Sequence, residues 1–418
     1  MRHFNFPRSR HSSPSECNDP QRVARGFSSA GAALLILLAG CAGAGNRQVR
    51  SEVAADSSSG AKSDLTAESA ESLEIRSHEV LANAINDAGV IVGEIRIGGA
   101  QGCALVWDSG AVRAKVLASA DGSSARDINN SGTVAGYMLP SGTSAGGSRE
   151  TASTWSGGNV QRVRLVDARS SSGSAINARG QVAGNFRRDD GHSRAFLWSG
   201  SQTHDLGDSP QPEFARVFAT DINDHGTVVG YLLPIQGESF QSIRILGSGA
   251  FIWRNGVIRQ LVTDSTLSEI EAWGINNAGD VVGYIMPRST ERKVAYLFSQ
   301  GKLTQLALPA RWRQSEAVAI NDRGQIVGSA VDSLSRVHAV LWEDSRMRDL
   351  GTLPGDRATD VDIRATSINA AGQVVGYSEA AGGARSRAFL WEKGAMRELL
   401  PPTAGEPRCR PANSADAR

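Results

Sequence analysis

Seven copies of one short motif carry the most regularly spaced oxygen-bearing side chains of the chain. Each copy reads Ile-Asn-x-x-Gly and has a second glycine four residues after the first, as in "INDAGVIVG" at Ile85 to Gly93. Asn and Asp oxygens can bind calcium, but a calcium site needs about six to eight oxygens with carboxylates among them. The residue after the Asn is Asp87, Asn130, Ala178, Asp224, Asn277, Asp322 or Ala370. Because so few copies carry a charge there, the pattern favours a turn over a metal site.

A type I β-turn followed by a bulge accounts for the same residues. Asn is favoured at the first turn position, where its side chain hydrogen-bonds the turn backbone, and Gly at the fourth takes a left-handed conformation. The seven turn asparagines are Asn86, Asn129, Asn177, Asn223, Asn276, Asn321 and Asn369. The seven turn glycines are Gly89, Gly132, Gly180, Gly226, Gly279, Gly324 and Gly372. The later glycine of each copy lies inside a strand, where we expect the Trp of a following strand, or a neighbouring sheet, to pack.

The remaining residues give no catalytic constellation. The histidines His78, His192, His204, His225 and His338 stand at unrelated positions of different copies, and no GxSxG, HExxH or P-loop occurs. We therefore predict no catalytic residue, no metal and no cofactor. Carboxylates that folding brings together are not visible in a sequence, so an enzyme remains the alternative.

The motifs recur with the period of a repeat protein. Successive motif isoleucines are 43 to 53 residues apart, and each is followed by a second motif such as "AFLW" at Ala388 to Trp391. Short runs of β-formers between turn residues give four strands per copy, which we name a, b, c and d. Seven such copies predict an all-β protein, a β-propeller of seven four-stranded blades. A β-solenoid of the same repeats is the alternative.

On these paired motifs, from about Leu73 to Leu400, the sequence resembles the HAF-repeat family of bacterial extracellular proteins. The family name refers to His-Ala-Phe before the Trp-type strand, and only His338 retains the His here. The resemblance implies export and a propeller-like body, and it implies no particular reaction.

The variable segments of the repeats predict a binding face. The a–b turns are uniform, whereas long insertions fall in b–c connections, and variable loops on a rigid scaffold are where binding residues concentrate. Candidate binding residues at this face are Tyr137, Tyr231, Tyr284 and Tyr377 at the ends of strands b, and Arg311, Trp312 and Arg313 in a d–a loop. The alternative is that the tyrosines and Trp312 pack against the blades.

The N-terminal segment predicts the cellular location of the protein. "AALLILLAGC" at Ala32 to Cys41 follows a segment with five Arg, and Leu38 to Cys41 resembles the bacterial lipobox. The resemblance implies cleavage before Cys41, lipidation of Cys41 and an outer-membrane lipoprotein. An uncleaved membrane anchor over Gly26 to Gly45 is the alternative.

Composition divides the chain into four parts. We expect a signal peptide at 1–40, a flexible Ser-, Ala- and Gly-rich tether at 41–71, the propeller at 72–400 and a disordered tail at 401–418. Without residues 1–40 the chain has 39 basic and 41 acidic residues, so nucleic acid is not expected as a partner.

Two cysteines remain in the expected exported body. Cys103 and Cys409 would meet an oxidising compartment, and a closed ring would bring the first and last repeats together. A disulfide between them is therefore expected, with an inert Cys103 as the alternative.

Together these features predict a monomeric, non-catalytic, envelope-anchored binding or scaffolding module with a glycan or protein ligand. The alternative is a propeller enzyme, a glycan lyase or hydrolase, with its site on the variable-loop face.

The anchor gives a first testable prediction. Replacing Cys41 with Ser removes the thiol that would carry the lipid, so we expect an unprocessed, unacylated precursor in the wrong fraction. Fractionation and metabolic labelling with a radioactive fatty acid measure both effects. Unchanged processing and membrane retention of the Cys41→Ser protein would show that the lipobox interpretation is wrong.

Overall fold

The structure, a computed structural model, describes residues 78–97, 102–117, 122–140, 149–209, 214–234, 247–357, 359–380 and 385–403. The expected signal peptide, the lipidation site Cys41, the tether, Cys409 and residues 404–418 of the tail lie outside the described residues. Within the described part, no helix has the length and apolar character needed to cross a membrane.

In the described residues, twenty-eight strands form seven antiparallel four-stranded blades, each from one sequence repeat. Blade one is β1 (His78–Ile85), β2 (Ile91–Ile97), β3 (Cys103–Trp107) and β4 (Lys115–Val116). Blade two is β5 (Ser123–Ile128), β6 (Val134–Met138), β7 (Thr151–Ser156) and β8 (Asn159–Arg162). Blade three is β9 (Ala168–Ile176), β10 (Val182–Arg188), β11 (Ser193–Ser199) and β12 (Gln202–Asp205). Blade four is β13 (Phe214–Ile222), β14 (Val228–Pro234), β15 (Gly249–Arg254) and β16 (Val257–Gln260).

The other three blades have the same plan. Blade five is β17 (Leu267–Ile275), β18 (Val281–Pro287), β19 (Val294–Ser299) and β20 (Lys302–Gln305). Blade six is β21 (Trp312–Ile320), β22 (Ile326–Asp332), β23 (Val337–Glu343) and β24 (Arg346–Asp349). Blade seven is β25 (Val361–Ile368), β26 (Val374–Ala380), β27 (Ser386–Glu392) and β28 (Ala395–Leu399). In each blade the four strands are a, b, c and d in order, and the a strands of neighbouring blades contact one another all the way around.

The hydrophobic core is divided into seven layers, one between each pair of neighbouring blades. One layer joins blade one to blade two through Ala84, Val92 and Ile128, and another joins blade seven to blade one through Leu390 and Ile85. The strand-c Trp or Phe of each blade belongs to the layer shared with the preceding blade. Because the last layer joins the last blade to the first, the repeats form a closed propeller and not a solenoid.

The a–b turns have one geometry in all seven copies. The turn glycines have φ between 74° and 85°, and each glycine N–H donates to the Asn carbonyl at 2.9 to 3.1 Å. The Asn Oδ1 accepts from the backbone N–H four residues later at 2.9 to 3.0 Å. A left-handed φ favours Gly, so the turn explains both residue types.

The same asparagines also join the blades into a ring. The Nδ2 of each turn Asn donates to the backbone carbonyl of the turn Asn in the next blade, at 2.9 to 3.4 Å. The seventh bond runs from Asn369 back to Asn86 at 3.0 Å and closes the ring. All seven residues are buried, with exposed fractions of 3% to 6%. We call this closed set of bonds the asparagine ring.

Blades one and seven meet without exchanging a strand. Glu79 pairs with Ser386 in parallel, and the Leu400 backbone exchanges hydrogen bonds with Val112 and Ala114 at 2.7 and 3.0 Å. The stretch before the first repeat, Ser72 to Val80, resembles a strand d in sequence and could pair with the last blade. Its described part instead begins β1, and blade seven supplies its own strand d. Strand β1 enters the ring from the face that carries the b–c and d–a connections.

The expected packing of Trp on the strand-b glycines was wrong. At each of these glycines a Cβ would lie 1.9 to 2.3 Å from a backbone carbonyl oxygen of strand a in the same blade, where the a–b register shifts. In three blades the ring of a strand-c Phe also lies within 2.8 Å of that point, at Gly184, Gly230 and Gly376. A side chain would collide with the backbone there, so the position requires glycine.

The asparagine ring gives a second prediction. Asn321→Asp keeps the shape of the side chain but removes the Nδ2 donor to Asn369 O, now 3.0 Å away. A buried acceptor without a donor costs about 1–3 kcal/mol, so the urea midpoint should fall clearly. Asn159→Asp on exposed strand d of blade two makes the same charge change and should have little effect. Equal shifts for the two variants would contradict a stabilising role for the ring.

Candidate functional site

The carboxylates that make the turn motif resemble a calcium loop connect neighbouring blades. The N–H of Ala370 donates to Asp87 Oδ1 at 2.7 Å, and Asn277 Nδ2 donates to both Asp224 and Asp322 at 2.9 Å. Across the parts of the chain that the structure describes, no group of three His, Cys, Asp or Glu side chains is arranged to hold a metal ion. This face of the disc is therefore occupied by contacts between blades.

Two further carboxylates precede the motif isoleucine on strand a, nearest the axis. Asp127 accepts from the N–H of Ile128 and from that of Ile176 in the next blade, both at 2.8 Å. Asp221 accepts from Ile275 of blade five at 2.8 Å. Burial raises the pKa of Asp127 to about 6 and that of Asp221 to about 7, with the charge of Asp127 adding to the second shift. The sequence signal was present but unused, because the other five copies have only Ala, Gly or Ser at this position.

The opposite half of the central channel is less uniform, because equivalent positions carry Tyr in four blades and Glu, Asn or Ser in the other three. We call this half, which extends from the middle of strands b to their ends, the channel mouth. The residue after each strand-b glycine faces the next blade here, and the seven are Glu94, Tyr137, Asn185, Tyr231, Tyr284, Ser329 and Tyr377. Asn185 shows the contact most simply, because its side-chain amide donates to and accepts from the Ala219 backbone at 3.0 and 2.8 Å.

The expected place of the four tyrosines at the ends of strands b was wrong: each is the fourth residue of its strand b, and three of these strands have seven residues. Their side chains lie where the channel mouth begins and face the next blade. Tyr231 stacks on Phe218 with ring centroids 5.2 Å apart and contacts Trp273 of blade five at 5.5 Å. Tyr284 is 3% exposed, whereas the other three tyrosines are half-buried. Burial raises the pKa of Tyr137 and of Tyr377 to about 12, so both hydroxyls keep their protons at neutral pH.

Blade five contributes carboxylates to the same mouth. Lys293 Nζ lies 4.0 Å from the Tyr284 ring centroid and 3.3 Å from Glu316 Oε2. The Tyr284 hydroxyl donates to Glu269 at 3.3 Å. Burial raises the pKa of the neighbouring Glu271 to about 7, against the opposing charge of Lys293. This part of the mouth therefore holds a carboxyl group that exchanges its proton near neutral pH.

Blades seven and one contribute two buried ionic groups with unused hydrogen-bonding capacity. Arg364 is 5% exposed and lies 4.0 Å from both Glu316 and Asp362. Glu94 is 1% exposed and pairs with Arg96 through one oxygen. Among the described residues, Arg364 Nε and Glu94 Oε2 have no hydrogen-bond partner. Such groups are rare in folded proteins and mark positions where a further polar partner stabilises the structure.

The predicted Arg-Trp-Arg candidates separate in the structure. Trp312 and Arg313 were expected in a d–a loop. They instead begin strand a of blade six. Trp312 is 6% exposed, with Arg311 Cζ 4.6 Å from its ring and His338 edge-on at 4.9 Å. Arg311 and Arg313 are exposed. The indole therefore packs against its own blade, and the two cations remain at the surface.

His338 belongs to an ion-pair cluster on blade six. Its Nε2 lies 3.4 Å from Asp332 Oδ2, and its Nδ1 lies 3.2 Å from Asp349 Oδ2. The hydrogen bond to Asp349 raises the pKa of His338, against burial. Burial alone would raise the pKa of Asp349, yet its bond to His338 holds it below the usual range.

The same strand-c position carries Arg in two other blades. Arg194 pairs with Asp205 at 3.0 Å, and Arg387 pairs with Glu398 at 3.0 Å. A cation on strand c that pairs with an acid on strand d thus explains why His is replaceable here. His192, His204 and His225 are exposed and apart from one another.

Cys103 begins strand c of blade one, is buried and is disulfide-bonded. The other three cysteines, Cys17, Cys41 and Cys409, lie outside the described residues. The pairing with Cys409 therefore stays a prediction.

The fold defines the chain as a β-propeller protein, and solved structures have the same fold. The acylaminoacyl peptidase of Pyrococcus horikoshii matches with 14% identity and a TM-score of 0.52, over 77% of this chain and 52% of that chain. The β-propeller domain of the Trilobed protease from Pyrococcus furiosus matches with 12% identity and a TM-score of 0.54, over 77% and 98%. The chain thus spans about half the length of the first protein. Identities this low show the fold alone.

At the level of sequence, residues 304–399 match the family described as "Protein of unknown function (DUF3466)". This range covers all strands of blades six and seven. No curated protein matches the sequence.

The ion pairs of His338 give a third prediction. Because its pKa is raised on folding, its stabilising contribution is complete below the unfolded value near 6.5 and is lost as pH rises through the folded value. The urea midpoint of the protein should therefore fall between pH 6 and pH 9 by more than that of His338→Gln. The carboxylates of Asp332 and Asp349 titrate well below this window, so they do not obscure the difference. Parallel pH profiles for the two proteins would contradict the prediction.

Proposed function

We propose that this β-propeller is a non-catalytic, envelope-anchored binding or scaffolding module whose ligand contacts the variable-loop face. The lipobox-like stretch that ends at Cys41 supports export and a lipid anchor at the outer membrane. The resemblance to HAF-repeat proteins supports an extracellular role. The ligand is an envelope glycan or a protein, and the module acts as a monomer.

One contrast between the two faces carries this proposal. At one face, all seven blades have the same Asn-x-x-Gly turn, and the Asn of each turn binds the next blade. At the channel mouth, the seven equivalent positions after the strand-b glycine carry Glu, Tyr, Asn or Ser. Differing side chains on a rigid and uniform support are typical of recognition surfaces.

The protonation state of the tyrosine hydroxyls at the channel mouth favours binding over catalysis. A phenol that keeps its proton to a pKa of about 12, as at Tyr137 and Tyr377, is a hydrogen-bond donor and a poor general base. Together with Trp273 and the ionic groups Arg364 and Glu94, these phenols supply aromatic faces, donors and acceptors. Polyhydroxylated and peptide ligands need this combination.

A second candidate function rests on Glu271. A carboxyl with a pKa of about 7 can act as a general acid or base, and Glu269 stands beside it. An enzyme acting on glycans would use this pair at the channel mouth. Glu271→Gln separates the two functions, because it removes the proton transfer but keeps the size of the side chain.

The proposed function is tested with the full-length exported protein, purified from membranes in detergent. It is screened against arrays of bacterial envelope glycans and against separated envelope proteins. For the best ligand, Tyr137→Ser and Tyr377→Ser should weaken binding by about tenfold, or 1.4 kcal/mol. Ser is accommodated at this position in blade six as Ser329, so both variants should fold. Arg323→Ala, exposed on the opposite face, should bind as the unaltered protein does.

Three outcomes would overturn the proposal. They are the absence of any ligand in the screen, a loss with Arg323→Ala equal to that of the tyrosine variants, and turnover of the bound ligand that Glu271→Gln abolishes. The last outcome would favour the enzyme.

A further inference from the structure

Blade seven has a cavity at a place where blade six has a packed side chain. The cavity has a volume of about 310 Å³ and opens on the variable-loop face. Its lining comes from the d–a connection before blade seven, from strands a, b and c and from the b–c connection: Pro354, Gly355, Asp356, Val361, Ser378, Ala380, Arg385 and Arg387. A volume near 300 Å³ is at the lower end of ligand sites, so the cavity accommodates one ring and not a chain.

The side chain at the start of strand a explains the cavity. In the a–b register, Val361 of blade seven pairs with the fourth residue after the strand-b glycine. The same pairing is made by Phe214, Leu267 and Trp312 in blades four, five and six, and by Ala168 in blade three. Compared with blades four to six, the smaller side chain of Val361 leaves space beside the sheet.

Blade six shows what fills the equivalent space. There the indole of Trp312 lies against His338, which has the strand-c position of Arg387 in blade seven. A flat ring of this size therefore fits between the start of strand a and the strand-c cation. In blade seven the corresponding space is open.

The base of the cavity is a fixed polar network. Arg387 pairs with Asp356 and, at 3.0 Å, with Glu398. The Ser378 hydroxyl donates to Asp356 Oδ2 at 2.9 Å. The carboxylate of Asp356 is held in place by two donors and still has lone pairs that can accept from a ligand hydroxyl.

Arg385 supplies a cation that none of the described residues neutralises. Its backbone carbonyl accepts from Ala380 N–H at 3.0 Å, but its half-buried guanidinium has no hydrogen bond or ion pair to any described residue. The bidentate geometry of a guanidinium matches a carboxylate. On the other side, Pro354 and Val361 give the cavity an apolar wall.

We propose that this cavity binds the ring of an acidic sugar, a hexuronic acid unit, with its carboxylate on Arg385. The hydroxyls bond to the carboxylate of Asp356, and the apolar face of the ring lies on Pro354 and Val361. The proposal rests on the proposed binding function and names a class of ligand for it.

Isothermal titration of the full-length protein with three probes tests the chemistry. D-glucuronate carries the ring, the hydroxyls and the carboxylate, whereas D-glucose lacks the carboxylate and benzoate lacks the hydroxyls. We expect D-glucuronate to bind at least about tenfold more tightly than either of the other two. Equal affinity for D-glucuronate and benzoate would show that the cavity binds carboxylates of any kind, and failure of D-glucuronate to bind would overturn the proposal.

Two variants test whether D-glucuronate binds in the blade-seven cavity. Arg385→Gln removes the cation, and Val361→Trp fills the cavity as Trp312 fills its equivalent, so each should reduce D-glucuronate affinity by about tenfold or more. Arg357→Gln, which removes an exposed charge from the nearby connection, and Val160→Trp, on an exposed edge strand, are matched controls that should keep affinity. A loss with Arg357→Gln equal to that of Arg385→Gln would mean general electrostatic attraction and overturn the site. If Val361→Trp does not fold, Arg385→Gln decides.

The test also separates this inference from the function on which it depends. An envelope ligand that binds the Val361→Trp protein normally and is lost with the tyrosine variants leaves the binding function standing and removes the blade-seven site. Absence of all ligands in the wider screen removes both.

Discussion

The asparagine ring is the interaction on which the arrangement of the blades depends. Each turn Asn uses its oxygen to hold its own turn and its nitrogen to hold the next one, so the fold of each repeat and its attachment to the following repeat share one side chain. Aspartate would lack the donor, and Ser would not reach both partners. This double use explains why Asn is present in all seven copies while the following residue varies. The apolar layers between blades tolerate changes of side chain, as the exchange of Trp for Phe298 shows.

The sequence was sufficient to predict the local structure and the number of blades. Turn residues act within a few positions of one another, and the four strands of each repeat follow from short-range alternation. The second partner of each Asn was not predictable, because it lies 43 to 53 residues away for six bonds and 283 residues away for the bond that closes the ring. The strand-b glycine was misassigned for a similar reason. The atom that excludes a side chain there is a backbone oxygen. Every residue has such an oxygen, so the residue types do not indicate where it approaches the glycine.

The candidate site was less predictable than the fold. Strand order placed the tyrosines at the ends of strands b, whereas they lie midway along these strands. Their burial depends on which residues the next blade presents, such as Trp273 beside Tyr231. The channel carboxylates Asp127 and Asp221 were overlooked because each is unusual only in comparison with equivalent positions in the other blades. The cavity of blade seven could not be predicted without the strand register. Only the register shows that Val361 has the position that Trp312 has in blade six. Repeat proteins therefore reveal their sites best through differences among equivalent positions.

The direction in which β1 enters the ring limits where the protein can act. Strand a of blade one begins at the variable-loop face, so in the proposed lipid-anchored protein the tether leaves from the same side as the binding surface. Thirty-six residues separate Cys41 from His78, and fully extended they span at most about 130 Å. A strand of eight residues, and hence the disc, is only about 30 Å thick. The proposed binding surface faces the membrane when the tether takes the direct path from the lipid to β1. It faces away from the membrane only when the tether passes around the outer edge of the disc. If the proposed lipid anchor is present, the ligands within reach lie in a layer next to the membrane that is no deeper than the extended tether and the disc together.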